Sequence, residues 1–135
     1  MREILFKAKR IDNGEWVEGC LVIDHSRPNL FEYRMQPVES GVLYAPPINP
    51  ETICQFTGLC DKNGKKIWES DVVWLVYDGK EHIYQIVWDN SELDFKATNG
   101  EENYGSNFEY LLCCDEIEVI GNIFDNPELL QEEHK

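Results

Sequence analysis

The chain of 135 residues has no apolar run long enough to cross a membrane. A membrane-spanning helix requires about 20 consecutive, predominantly apolar residues, and every apolar stretch in this sequence is shorter. The opening residues also lack the apolar block of a secretion signal. These two absences predict a cytoplasmic protein that has no membrane partner.

The sequence also lacks the paired cysteine spacing that binds zinc. Its five cysteines include no Cys-x-x-Cys arrangement, and Cys113 and Cys114 are adjacent, a spacing unsuited to chelation by both thiolates. Only three histidines are present to complete a site. We therefore expect reduced, mostly buried thiols and neither a metal nor another cofactor.

Positive charge is scarce in the second half of the chain. Residues 1–66 hold nine basic and nine acidic side chains, whereas residues 67–135 hold three basic and seventeen acidic ones, so the net charge of −14 belongs entirely to the second half. Such a field repels nucleic-acid phosphates and attracts basic surfaces. The sequence therefore predicts no direct binding of nucleic acid. A solvated face that keeps the protein in solution is the favoured interpretation of this charge, and a basic protein partner or a metal cation is the functional alternative.

Familiar catalytic motifs are absent too, since the sequence has no nucleophile elbow, P-loop or glycine-rich dinucleotide loop. Carboxylates do group within residues 89–94 and 115–118, but acid–base catalysis also needs a cleft that perturbs their pKa values. Glu116 and Glu118, at strand spacing, are typical of an edge that discourages aggregation. We predict that the protein is not an enzyme, and a metal-dependent carboxylate hydrolase is the alternative.

What the sequence does contain is a dense series of turn residues between short apolar segments, which is typical of β structure. The predicted class is all-β, with a short C-terminal helix that begins at Asn126-Pro127-Glu128. Prolines between residues 37 and 50 indicate loops and divide a smaller N-terminal β subdomain, residues 1–50, from a second one, residues 51–135. The predicted strands cover residues 4–10, 16–23, 30–35, 54–59, 67–68, 72–77, 83–88, 93–98 and 116–124.

One predicted hairpin, residues 72–88, is apolar on both faces. If residues 78–82 form its loop, Tyr77 lies opposite Ile83, and Trp74 and Trp88 share an apolar core face. The other face, with Leu75 and Val87, is nearly as apolar. A hairpin with one wet face would alternate with polar residues, so we expect the second face to be covered by the first subdomain, a closing barrel or another subunit.

Three segments carry a resemblance to a known family. They are residues 2–10 with 14–17 (REILFKAKR, GEWV), residues 50–53 with 55–71 (PETI, QFTGLCDKNGKKIWESD), and residues 118–130 (EVIGNIFDNPELL). In this order they resemble the opening, central signature and closing motif of the YopX family of phage and prophage proteins. The resemblance spans nearly the whole chain.

The resemblance implies a mostly-β chain whose second half forms an SH3-like barrel and whose first half forms a smaller β subdomain. It implies no activity. In one place the chain departs from the family, which usually has Glu-Gly-Asp where this chain has Glu69-Ser70-Asp71. Glycine at such a position suggests a backbone with positive φ or a close approach, and serine makes that conformation doubtful in this chain.

The turn Asp61-Lys62-Asn63-Gly64 lies inside the signature and is similar to the first residues of a calcium loop. The match ends early, because position five is Lys65 and position twelve is Val72, where a bidentate glutamate is required. A tight turn between two strands is the better interpretation.

A protein-binding role is the prediction that remains after these exclusions. SH3-like barrels often present aromatic side chains to peptides. Trp74 and Trp88 are assigned to the core, and Trp68, beside the signature turn, is the first tryptophan to test. The candidate partner-binding residues are Trp68, Ser70, Asp71, Leu75, Tyr77 and Val87. We expect a non-enzymatic phage or prophage accessory protein in the cytoplasm of the bacterial host, a self-associating β module that binds other protein chains. The alternative within binding functions is an acidic mimic that occupies the DNA site of a host protein.

Overall fold

A computed structural model describes residues 3–26, 31–39, 41, 43–99 and 108–133, and it confirms the all-β class. The strands form two five-stranded antiparallel sheets, in the orders β3-β2-β1-β4-β5 and β10-β6-β7-β8-β9. One short helix, α1, follows the last strand. The elements are β1 Phe6–Lys9, β2 Trp16–Ile23, β3 Tyr33–Pro37, β4 Cys54–Cys60, β5 Lys66–Trp68, β6 Asp71–Tyr77, β7 Lys80–Asp89, β8 Asp94–Thr98, β9 Phe108–Tyr110, β10 Glu116–Asn122 and α1 Glu128–Glu133.

The chain divides into two compact units, Met1–Phe56 and Thr57–Lys135, and β4 runs across the division. The boundary expected after residue 50 lies a few residues before this division, which follows Phe56. In the first unit, β2 matches its predicted bounds, whereas the strand predicted over residues 30–35 is observed as β3, and residue 30 lies outside the described residues. Alternation along these strands turns one face inward, and Ala8, Met35 and Ile48 form its core.

In the second unit, the core lies on one face of the β10-β6-β7-β8-β9 sheet. Strand β9 was not predicted from the sequence. Within the described residues no pairing joins the end strands β9 and β10, so the sheet is open and the expected closed, SH3-like barrel is not observed. The core is formed by Ile67, Val73, Leu75, Tyr84, Ile86, Ala97, Leu111 and Val119.

The predicted register of the β6–β7 hairpin is wrong by three residues. The connection is a two-residue turn in which Asp78 and Gly79 have φ of 50° and 76°, so Tyr77 pairs with Lys80 rather than with Ile83. Positive φ at both central residues is the type I′ geometry that suits hairpins, and Asp-Gly is among its preferred sequences. Because successive side chains alternate between faces, an odd shift moves each side chain to the other side of the sheet relative to its partners.

The tryptophans illustrate the consequence of this shift. Trp74 does not belong to the core cluster, and Trp88, at the end of β7, is 39% exposed. Trp68, which was assigned to a partner surface, is only 5% exposed. The prediction that Trp74 and Trp88 lie in the core is therefore wrong.

The helix α1 packs near the end of β10. A Cβ atom placed on Gly121 would lie 2.6 Å from Asn126 Oδ1 and 2.9 Å from Leu129 Cδ1, so glycine allows this close approach. Asn126 Oδ1 accepts a hydrogen bond from Asn122 N at 3.3 Å. The helix begins one residue later than the sequence suggested. No helix in the described part of the chain is long and apolar enough to span a membrane.

All five cysteines are free thiols, as expected. The expectation that most are buried is wrong, because Cys20, Cys60 and Cys113 are exposed.

Candidate functional site

The signature turn is held by one buried carboxylate. Asp61, 7% exposed, accepts hydrogen bonds from Asn63 N and Lys65 N on Oδ1 and from Val119 N on Oδ2, each at 2.9 Å. Burial acts to raise the pKa of this carboxyl, but the three N–H donors outweigh it and hold the pKa below its usual range. Both oxygens are thus occupied by backbone, which agrees with a turn rather than a calcium loop.

The same turn covers the outer edge of β10. Lys62 N donates to Ile117 O at 3.0 Å, next to the bond from Val119 N to Asp61. These bonds satisfy backbone groups that would otherwise be open to pairing with another chain. The residues of the signature turn therefore have a structural role, since they hold the turn against β10. Among the described residues, no group of three or more His, Cys, Asp or Glu side chains is arranged to hold a metal.

The Glu69-Ser70-Asp71 step keeps the backbone conformation that glycine would favour. Ser70 has φ of 74°, and its N–H and C=O bond to Ile86 O at 2.8 Å and Ile123 N at 3.0 Å. Asp71 is 2% exposed, and its Oδ2 accepts a hydrogen bond from Trp68 N at 2.8 Å. The backbone therefore has positive φ at this position even though the residue is serine, and the serine side chain makes that conformation strained.

The six residues predicted to bind a partner do not form one surface. Trp68, Asp71 and Leu75 are buried within the chain, Ser70 and Val87 are half-buried, and Tyr77 is exposed at the end of β6. Leu75 belongs to the core cluster, whereas alternation places Val87 on the opposite face of the sheet. A partner-binding role for these residues stays a prediction, and three of them would have to move to meet a partner.

The carboxylates of the β7–β8 turn are engaged by a buried lysine. Lys96 Nζ lies 2.7 Å from Asp89 Oδ2, forms an ion pair with Glu92, and sits 5.1 Å from the centroid of the Tyr110 ring. Although burial acts to lower it, these pairs raise the pKa of Lys96; hydrogen bonds from Lys96 lower the pKa values of Asp89 and Glu92. Carboxyls held ionised in this way are unlike a general acid, whose pKa is raised.

The outer face of the second sheet carries a different arrangement. Side chains that alternate away from the core include Trp74 and Val76 on β6 and Ile83 on β7, and all three are half-buried. Trp74 pairs directly with Ile83, and Val76 is next to Trp74 on the same face. We call these three residues the outer strip.

Carboxylates flank the outer strip on both sides. Glu118 pairs with Trp74 and Glu116 with Val76 across the β10–β6 ladder, and Glu81 pairs with Val76 across the β6–β7 ladder. Directly opposed strand residues have Cβ atoms about 5 Å apart. Glu81, Glu116 and Glu118 form what we call the acidic rim.

Two groups of the signature turn reach this face. Lys62 Nζ lies 4.9 Å from the centroid of the Trp74 ring, and Asn63 Nδ2 donates to Glu118 Oε1 at 3.0 Å. The turn thereby helps to orient the Trp74 ring and the Glu118 carboxylate, which belong to strands β6 and β10.

The outer strip and its rim combine apolar area with negative charge, and such a surface can bind a basic, amphipathic chain. Sequence reasoning missed this surface, because the wrong register assigned Trp74 and Val76 to a core face and placed Ile83 on the opposite one. The signal that could have found them is Asp78-Gly79, which predicts a two-residue turn and hence the observed pairing.

The comparisons with known proteins agree with the architecture. The family model described as "YopX protein" matches residues 5–131. The crystal structure of protein EF1440 from Enterococcus faecalis is similar at 24% sequence identity, covers 96% of this chain and 99% of its own, and has a TM-score of 0.55, which shows a shared fold. No curated protein matches. Because the family model spans nearly all of the sequence, the chain belongs to the YopX family.

Proposed function

We propose that the protein is a non-enzymatic phage or prophage accessory protein that self-associates and whose second unit binds a basic protein surface. The observation that carries this proposal is the outer strip, an apolar face framed by the three carboxylates of the acidic rim. Negative charge around an apolar centre speeds and orients the encounter with a basic partner, while the apolar contact slows dissociation.

Three of the other carboxylates are engaged in contacts within the fold and are not free to meet a substrate or a partner. Asp61 accepts hydrogen bonds from three backbone N–H groups, and Asp89 and Glu92 share an ion pair with Lys96. The rim residues Glu116 and Glu118 lie on one strand beside apolar side chains. The proposed site is therefore a surface for contact.

The test is calorimetric titration with a synthetic peptide of alternating lysine and leucine. We expect the double variant Glu116→Lys, Glu118→Lys to bind the peptide about tenfold more weakly than the wild type, since each reversal removes an attraction and adds a repulsion of several tenths of a kcal/mol each. The matched control is Glu3→Lys with Glu51→Lys, which makes the same charge change at exposed sites in the first unit.

An equal loss in the control variant would contradict the proposal, because it would show that net charge alone attracts the peptide. Capture of a host protein from a lysogen at low and high salt then extends the test to natural partners. If duplex DNA displaces the captured protein, nucleic-acid mimicry becomes the better assignment for the charge of the second half.

A further inference from the structure

The first unit has an outer face whose charge is opposite to that of the rim. Alternation along β1, β2 and β3 points one set of side chains away from the core of Ala8, Met35 and Ile48. This set, which we call the basic face, includes Lys7, Lys9, Trp16, Glu18, Cys20, Val22, Arg34 and Gln36.

The centre of the basic face is a tryptophan with two lysines. Lys7 Nζ and Lys9 Nζ lie 4.7 Å and 5.4 Å from the centroid of the Trp16 ring. At these distances the ring attracts both cations. The positive charges are therefore held beside a half-buried aromatic surface.

A third cation extends this surface along β3. The guanidinium of Arg34 lies 6.0 Å from the centroid of the Tyr44 ring, and Arg34 Nε donates to Ala45 O at 2.7 Å. Glu18, which pairs with Lys7 across β1 and β2, is the acidic member of the set defined above. The set thus contains three cations and one carboxylate, and a second carboxylate, Glu39, lies beside Trp16 and Glu18.

The two faces are complementary in charge and similar in construction. The basic face joins Lys7, Lys9 and Arg34 to Trp16, and the outer strip joins Trp74 to the three carboxylates of the acidic rim. We propose that the basic face of one copy binds the outer strip and acidic rim of a second copy. This inference rests on the proposed function, because it names the first unit of another copy as a basic surface that the strip binds.

Symmetry favours a contact between unlike faces. If two outer strips met about a twofold axis, Glu81, Glu116 and Glu118 would face carboxylates of the same rim, and like charges brought together across an interface cost several kcal/mol. Two basic faces would repel in the same way. A head-to-tail contact avoids both repulsions and leaves one face of each kind open at the ends, so it produces rings or open chains.

The test uses two charge-reversed variants of the full chain. The rim variant is Glu116→Lys with Glu118→Lys, and the face variant is Lys7→Glu with Lys9→Glu. Sedimentation velocity at low salt measures the association of each variant alone and of their mixture. We expect the wild type to associate, each variant alone to associate at least tenfold more weakly, and the mixture to regain association, because it pairs an intact basic face with an intact rim.

Several outcomes would overturn the inference. Association of either variant alone at wild-type strength would show that its reversed face is not part of the contact. A wild type that stays monomeric would also overturn the inference. If that monomer still loses peptide binding when the rim is reversed, the proposed function survives while this inference fails.

Folding and screening are controlled separately. Circular dichroism checks each variant, and Lys7→Gln with Lys9→Gln, which creates no opposed carboxylates beside Glu18, replaces the face variant if that variant is unfolded. Raising the salt from about 0.05 to 0.5 M shortens the screening length severalfold, and the wild type should associate less. Association that increases with salt would point to an apolar contact and would contradict the proposal.

Discussion

The two faces of strand β6 carry similarly apolar side chains but use them differently. Leu75 is fully buried in the core of the second unit, where its neighbours across the ladders include Ile117. Val76, the next residue, is half-buried on the outer face between Glu116 and Glu81. Hydropathy along β6 alone cannot distinguish the two faces. The partners on the neighbouring strands distinguish them, because Leu75 lies between Ile117 and His82 whereas Val76 lies between two glutamates.

The largest effect should come from truncating these two neighbours in turn. We expect Leu75→Ala to lower the free energy of unfolding by about 2–5 kcal/mol, because it leaves a cavity in a packed core. Val76→Ala should cost roughly 1 kcal/mol, because a half-buried side chain loses less contact. Urea denaturation of both variants measures the difference. Equal losses would mean that the outer face is as fully packed as the core face.

Carboxylates near the outer face provide a second comparison, since Asp61 and Glu118 both contact the signature turn. Asp61 is buried and accepts three backbone bonds, whereas Glu118 accepts one bond from the side chain of Asn63. We expect Asp61→Asn to lower the free energy of unfolding by about 1–3 kcal/mol, because an amide N–H would face the N–H of Val119. The matched variant Glu118→Gln should change it by about 0.5 kcal/mol or less.

The effect of Asp61→Asn should depend on pH in a definite direction. The pKa of Asp61 is lower in the folded protein than its ordinary value, so its ionised form stabilises the fold above the unfolded pKa of about 3.9. That contribution is lost as the pH falls through the lower, folded pKa. The difference between wild type and variant should therefore be constant above pH ~5 and shrink below pH ~4. A difference that grows as the pH falls would contradict this account of Asp61.

Local chemistry made part of this fold predictable. The turn at residues 61–64, strand β2 and the start of α1 follow from residues whose backbone preferences act over a few positions, such as Gly64 with φ of 80°. Pairing between strands depends on the length of the connecting turn. Treating residues 78–82 as the loop, although Asp78-Gly79 suffices, exchanged the faces of the hairpin and hid the outer strip. The acidic rim also depends on β10, which is distant in sequence and pairs with β6 only in the fold.

The smallest expected effect concerns Ser70, where the chain departs from the family. Here the strain of the left-handed backbone is compared with the contacts that the serine side chain makes. A residue with a side chain pays about 1–2 kcal/mol for a left-handed backbone, and glycine gives back roughly 0.4–1 kcal/mol through the greater freedom of the unfolded chain. We therefore expect Ser70→Gly to raise the free energy of unfolding by about 0.5–1 kcal/mol, measured by urea denaturation. Ser70→Ala keeps the strain at φ of 74° and should not stabilise the protein. If the glycine variant is less stable than the alanine variant, contacts of the Ser70 side chain outweigh the strain, and the serine is then an adaptation of this chain rather than a tolerated cost.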